Sequence, residues 1–141
     1  MPTINVQAQQ DGDAATCFED AESALADADY EAATEGFTCA LDGDYSPALA
    51  AYLGRAEAQI GLEAYEAAIA DLDAAIDDDP NNARAFILRG EAYFGRGVYG
   101  LAASDYSLAS SLGADDTDLF FQTGEAYSLA GDFDLAAASY T

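Results

Sequence analysis

Histidine, lysine and tryptophan are absent from this chain of 141 residues, and its basic residues are four arginines. Without histidine, the chain has no imidazole for general base catalysis, for metal ligation or for activating a nucleophile. The 27 acidic residues give a net charge of −23, which opposes binding to nucleic acid, because that binding needs clustered Lys or Arg. We therefore predict a protein that is not an enzyme, with no catalytic residues, no cofactor, no metal site and no nucleic-acid partner.

Long apolar runs are missing as well. No stretch of the sequence approaches the roughly 20 apolar residues that a membrane-spanning helix needs. Residues 1–10 also lack the basic start and the apolar core of a signal peptide. The sequence therefore predicts no membrane insertion, and its length predicts a single domain.

What the chain has in abundance is an internal repeat with a step of 34 or 35 residues. Large and small side chains recur at this step in three columns. The columns are Tyr30, Tyr65, Tyr99 and Phe133; Ala33, Ala68, Ala102 and Ala136; and Phe37, Leu72, Tyr106 and Tyr140. Within one unit these positions fall on one face of an α-helix, which predicts the second helix of each unit.

Another apolar pattern precedes each of these helices. It pairs a large residue with a small one four positions later, and the small residue lets a neighbouring helix approach closely. The pairs are Tyr52 with Ala56, Phe86 with Gly90, and Phe120 with Gly124. We expect glycine to supply the left-handed residue that ends each first helix. The predicted helices are 14–27, 30–42, 48–61, 64–77, 83–95, 98–111, 117–130 and 133–140.

This pattern resembles the tetratricopeptide repeat family, and the third unit matches it best. The matching residues there are Phe86, Gly90, Tyr93, Gly97, Tyr99, Ala102, Tyr106 and Ala109. The resemblance covers residues 14–141 and implies an all-α, right-handed superhelical solenoid of about three and a half stacked antiparallel helix pairs. The units are 14–47, 49–82, 83–116 and an incomplete 117–141, so we interpret the chain as a segment or an open-ended protomer.

The resemblance also implies that the first helices line a concave groove. The first column on this face is Phe18, Leu53, Ile87 and Phe121, the second is Glu22, Glu57, Glu91 and Glu125, and the third is Leu25, Ile60, Phe94 and Ser128. An acidic ladder beside apolar stripes predicts a protein or peptide partner that carries apolar and basic residues. The alternative is that these glutamates are ordinary solvated helix surface. The family's clamp for a C-terminal carboxylate uses Lys, Asn and Arg here, and only Arg84 is available, which disfavours that ligand.

The function that these features predict is a non-catalytic scaffold that binds a peptide or partner segment in its groove. The alternative is a structural subunit that assembles head to tail into an extracellular filament. The last helix has no polar cap after it, and such an end can stack on another copy of the chain.

Two pairs of residues predict structural contacts. Arg55 and Arg89 recur one unit apart, with Asp71 and Asp105 at matching positions on the second helices, which favours structural ion pairs. Cys17 and Cys39 lie at nearly the same height on two antiparallel helices, which predicts a disulfide, with buried free thiols as the alternative. A bonded pair favours an extracellular or periplasmic location, and free thiols favour the cytoplasm.

Residues 1–13 lie outside the repeats, and we predict that they form an extended or disordered N-terminal arm. Pro2, Ile4, Val6 and Ala8 alternate with polar residues, as in a strand. If the chain polymerises, the arm is suited to lie in the groove of a neighbouring copy.

Overall fold

The computed structural model describes residues 6–114 and 117–141, and over those ranges the chain forms eight α-helices and no strand. The helices are α1 (Val6–Ala26), α2 (Tyr30–Asp42), α3 (Ala48–Gly61), α4 (Tyr65–Asp78), α5 (Ala83–Gly95), α6 (Tyr99–Ser111), α7 (Thr117–Ala130) and α8 (Phe133–Ser139). None of the helices in these ranges combines the length and the apolar character needed to cross a bilayer.

Each helix packs on the next one along the chain, and α3 also packs on both α1 and α5. Helices α1, α3 and α5 therefore lie side by side along one face of the stack. The right-handed, all-α solenoid of stacked helix pairs that the columns predict is confirmed.

The core follows the repeat columns. Ala33, Ala68 and Ala102 are completely buried, so the two helices of a unit approach closely, and larger side chains from the second helices fill the remaining space. Tyr106 shows how tight this packing is. A Cβ added at Gly90 would lie 2.5 Å from Cε1 of its ring, so only glycine leaves room for the ring at this position.

A residue in the left-handed conformation follows each of the first helices, but this residue is not always the expected glycine. The left-handed residue that follows each of them is Ala28, Glu63, Gly97 or Gly131. The prediction that glycine supplies it is wrong in the first two units. There, Gly61 has a packing role instead, because a Cβ on it would lie 2.7 Å from the ring of Tyr30. The non-glycine turns are stabilised by bonds such as that from the Ala64 amide to the Gln59 carbonyl, 2.8 Å long.

The start of α1 also differs from the expectation. The helix begins at Val6, so residues 6–13 are helical and do not form the predicted extended or disordered arm. Gln and Ala are good helix formers, and turns added to an existing helix need no new nucleus, so a weak alternation pattern does not prevent the extension. Pro2 and Ile4 lie outside the described residues, and the placement of the arm in a neighbour's groove stays a prediction.

The predicted structural ion pairs are confirmed. Asp71 accepts two bonds from the Arg55 guanidinium, at 2.6 and 2.7 Å, and Asp105 accepts two from Arg89, at 2.8 and 2.9 Å. Each arginine also reaches the preceding unit, where Arg89 bonds Asp73 at 2.7 Å. Asp71 and Asp105 are buried, and each lies in the same unit as its arginine, so these ion pairs join the two helices of one unit.

Candidate functional site

A pocket of about 380 Å³ opens on the face formed by the odd-numbered helices, between α1, α3 and α5. We call it the N-terminal pocket. Six of the predicted groove residues line it: Phe18, Glu22, Leu25, Leu53, Glu57 and Arg84. The structure thus brings together, from three helices, residues that are up to 66 positions apart in the sequence.

Phe18 forms the buried floor of this pocket. It is 8% exposed, its ring stacks on Tyr45 with centroids 4.3 Å apart, and it meets Phe37 edge to face at 5.5 Å. Most of this side chain therefore belongs to the core of the first unit. Leu25 and Leu53 are only partly buried, so they supply the apolar surface that a ligand would reach.

An ion pair crosses the groove beside the pocket. Arg84 on α5 donates a hydrogen bond to Glu57 on α3, and both side chains remain largely open to solvent. Such an exposed pair contributes little to the free energy of unfolding. Its main consequence is local, because Glu57 has an ion-pair partner, and the other ladder glutamates have none among the described residues.

Further along the groove, Glu91 on α5 and Glu125 on α7 have no ion-pair partner among the described residues. Burial raises the pKa of Glu91, and the charge of Glu57 raises it further, while Arg84 opposes this shift. Burial also raises the pKa of Tyr106, and the charges of Glu91, Glu125 and Asp105 add to that shift.

The remaining groove residues differ in how far a ligand could reach them. Ile60 and Ile87 are partly buried against the core of their units, and Phe94 meets Tyr99 edge to face at 5.2 Å. Phe121 is mostly exposed and lies 5.9 Å from Tyr140 between ring centroids. The apolar side chains predicted to face a ligand are thus partly buried in the core on α3 and α5, and only Phe121 on α7 is mostly exposed.

A larger apolar surface lies at the other end of the chain, between α6, α7 and α8. We call it the distal apolar surface. It lines a cavity of about 790 Å³, and its exposed large residues are Phe120, Phe121, Leu135 and Tyr140. The sequence pattern drew attention to the uncapped last helix but not to this cavity, because the cavity arises only where three helices meet.

Cys17 and Cys39 are joined in a disulfide that links α1 to α2, with their Cα atoms 5.8 Å apart. Cys17 occupies the position at which the other units carry Tyr52, Phe86 and Phe120. Within the part of the chain that the structure describes, no three acidic or cysteine side chains lie close enough to hold a metal ion.

Comparisons with known proteins agree with this architecture. A family model described as TPR repeat matches residues 60–97, from the last turn of α3 through α5. No curated protein sequence matches the chain.

Several solved structures share the fold. MamA (41-end) from Desulfovibrio magneticus RS-1 is 20% identical, with a TM-score of 0.83 over 91% of this chain and 72% of that one. The TPR domain of Arabidopsis OM64 is 22% identical, with a TM-score of 0.78 over 84% and 98%. The second TPR domain of human RPAP3, in complex with the HSP70 peptide SGPTIEEVD, is 21% identical, with a TM-score of 0.73 over 85% and 97%. With its matched repeat over residues 60–97 and its stacked helix pairs at a step of 34 or 35 residues, the chain is similar to the tetratricopeptide repeat family in sequence pattern and in fold.

Proposed function

We propose that this protein is a non-catalytic interaction scaffold that binds a peptide or a partner segment in the groove formed by its first helices. The N-terminal pocket is the observation that supports this most strongly. It is about 380 Å³ in volume, it is open to solvent, and it combines apolar side chains with acidic ones from three separate helices. Concave sites of this kind are where proteins hold ligands.

The charge of the groove favours a ligand with basic as well as apolar residues. The peptide in the RPAP3 complex carries three acidic residues, whereas the groove of this chain has one arginine, Arg84, which is already paired with Glu57. An acidic peptide would therefore meet uncompensated carboxylates. A suitable ligand is a segment whose aliphatic side chains contact Leu25 and Leu53 and whose basic side chain contacts the groove glutamates.

The proposal is tested by selecting short random peptides on the immobilised full chain and measuring the affinity of the selected peptides by calorimetry. Leu25→Ser with Leu53→Ser should weaken binding by about tenfold or more, because the apolar contact is lost. Leu101→Ser is the matched control, since Leu101 is exposed on α6 away from the pocket. Failure to select any peptide, or an equal loss in both variants, would contradict the proposal.

Head-to-tail assembly into a filament is the second candidate, and the distal apolar surface favours it. Phe120 and Leu135 are exposed there beside a cavity of about 790 Å³, and apolar patches of this kind mark interaction sites. Electron microscopy and sedimentation velocity test it over a range of protein concentrations. Fibres formed by the wild-type protein and absent from the double variant Phe120→Ser with Leu135→Ser would support assembly. A wild-type protein that is monomeric at every concentration would exclude it.

A further inference from the structure

We infer that the distal apolar surface of one copy of this chain is covered by α1 of a second copy, and that Glu19 and Asp20 on α1 limit this contact. The inference rests on the second proposed function, head-to-tail assembly, because it names the face of the partner copy and the residues that control the contact. It needs no new kind of interface, since the same contact already joins successive units within the chain.

The first argument is how successive units cover one another inside the chain. Each core cluster combines residues of one unit with residues from the first helix of the next unit. The residues that the next helix contributes recur at the repeat step and are buried: Ala51 and Ala58 in α3, Ala85 and Ala92 in α5, and Leu119 and Ala126 in α7. The interface between units is therefore a first helix that packs on the preceding helix pair.

The fourth unit presents the same helix pair without this cover. Phe86 and Tyr106 of the third unit are buried, and α7 contributes to their core cluster. Their equivalents Phe120 and Tyr140 are exposed. None of the described residues that line the distal cavity has a charged side chain. The distal apolar surface therefore has the composition of one side of the interface between units.

Helix α1 carries the other side of this interface. Its residues at the positions of Ala51 and Ala58 are Thr16 and Ser23, and both are exposed. They are small, as the alanines are, so α1 can approach a helix pair as closely as α3 does. The chain thus exposes both sides of an interface that it forms internally between successive units. A contact between different faces of identical chains is heterologous and produces a filament when it does not close into a ring.

The second argument concerns charge, which limits the contact. Glu19 and Asp20 lie on the same face of α1 as the two small residues, at spacings of three and four. Their equivalents in α7 are Gln122 and Thr123, which are uncharged, and Thr123 is buried. Stacking would therefore remove two carboxylates from water, and all four arginines of the chain are engaged in other ion pairs. We expect stacking at high protein concentration and single copies in dilute solution.

The test replaces the two acidic residues with those that α7 carries at the same positions. Glu19→Gln with Asp20→Thr should lower the protein concentration needed for association at neutral pH by about tenfold or more, because no carboxylate is then desolvated. Sedimentation velocity from about 1 µM to about 1 mM measures the association, and electron microscopy shows whether the products are fibres. Ser23→Glu should prevent association, because its equivalents in the other three units are completely buried alanines.

Glu31→Gln with Glu35→Gln is the control, since both glutamates are exposed on α2 and the change in net charge is the same. It should leave the concentration needed for association within about twofold of the wild-type value. An equal gain in both double variants would assign the effect to net charge and overturn the role of Glu19 and Asp20.

The remaining outcomes separate this inference from the proposed assembly. Fibres that form equally well in the wild type, in Ser23→Glu and in Glu19→Gln with Asp20→Thr would overturn the contact with α1 and leave assembly into a filament standing. Discrete dimers that are insensitive to Ser23→Glu would show that two distal apolar surfaces pair with each other, which would overturn the inference. No association of the wild type or of any variant would overturn the inference and the assembly together.

Discussion

The third and fourth units carry nearly the same residues at the same register, yet they bury them very differently. Phe86 is 5% exposed and its equivalent Phe120 is 44% exposed, while Tyr106 is 2% exposed and Tyr140 is 54% exposed. The third unit packs between α4 and α7, whereas in the structure the fourth packs on α6 alone. In a solenoid, the burial of a repeat residue therefore depends on the neighbouring unit more than on the residue itself.

The largest expected difference between the two units is the cost of removing the large residue of the first helix. Phe86→Ala should lower the free energy of unfolding by about 3–5 kcal/mol, because it leaves a cavity in a packed core. Phe120→Ala should cost less than about 1 kcal/mol, because much of that ring is already in water. Urea denaturation of both variants checks this. A large cost for Phe120→Ala would show that the fourth unit is covered in solution by another copy of the chain or by a partner.

The first unit provides a second contrast with the fourth, since a disulfide joins its two helices. Replacing Cys17 and Cys39 together with serine should cost about 3 kcal/mol, because the bridge closes a loop with a sequence separation of 22. Hydrogen exchange should accelerate in α1 and α2 and remain slow in α5 and α6. Unchanged exchange in the first unit would indicate that the thiols are free in the native protein.

A third comparison uses the same substitution at two equivalent glycines. A Cβ added at Gly90 would lie 2.5 Å from the ring of Tyr106, and a Cβ added at Gly124 would lie 2.5 Å from the ring of Tyr140. Gly90→Ala should destabilise the protein by about 1–2 kcal/mol after the gain in helix propensity, because the buried ring cannot move. Gly124→Ala should be neutral or stabilising by up to about 1 kcal/mol, because the exposed ring of Tyr140 can shift. Thermal unfolding of the two variants measures the difference, and equal effects would refute it.

The smallest effect concerns the groove glutamates and depends on pH. Burial and the charge of Glu57 raise the pKa of Glu91 above its usual 4.5, so the folded state holds this proton more tightly than the unfolded state. The contribution of Glu91 to stability is therefore most favourable below its unfolded pKa and is lost as the pH rises through the folded pKa. Glu91→Gln should stabilise the protein at neutral pH by less than about 1 kcal/mol, because solvent screens a half-exposed group.

Glu125→Gln is the matched variant in the fourth unit, where the side chain is exposed. It should change the free energy of unfolding little at neutral pH, because water solvates an exposed carboxylate. Well below pH 4.5, the Glu91 variant should match the wild type too. A stabilisation by Glu91→Gln that persists in acid would attribute the effect to packing and would contradict this account of its charge.

Much of the helical framework could be predicted because the repeat columns report helix faces directly. The predicted bounds of α2, α3, α5 and α7 coincide with those of the structure, and α4 and α6 each differ by a residue at one or both ends. The start of α1 at Val6 could not be predicted in this way, because residues 6–13 belong to no column. Their helical state depends on continuation from a helix that is stabilised elsewhere.

The equivalent positions of the ladder glutamates on the first helices were predictable, but the surroundings of each side chain were not. Glu57, Glu91 and Glu125 are equivalent in the sequence, and only the tertiary structure distinguishes them. Arg84 forms an ion pair with Glu57, while Glu91 has no ion-pair partner among the described residues. Arg84 and Glu57 lie 27 positions apart, and their contact depends on how two helices of successive units pack.

The amino-acid sequence by itself determined the repeat step, the helix pairs, the Arg–Asp contacts between the two helices of a unit and the net negative charge. These follow from periodicity and composition, which act locally and recur in every unit. The tertiary structure decided which aromatic rings are buried, which glutamate pairs with an arginine, and where the two cavities open. Those properties depend on the number and the position of neighbouring helices, because burial and electrostatic screening arise from everything packed around a side chain.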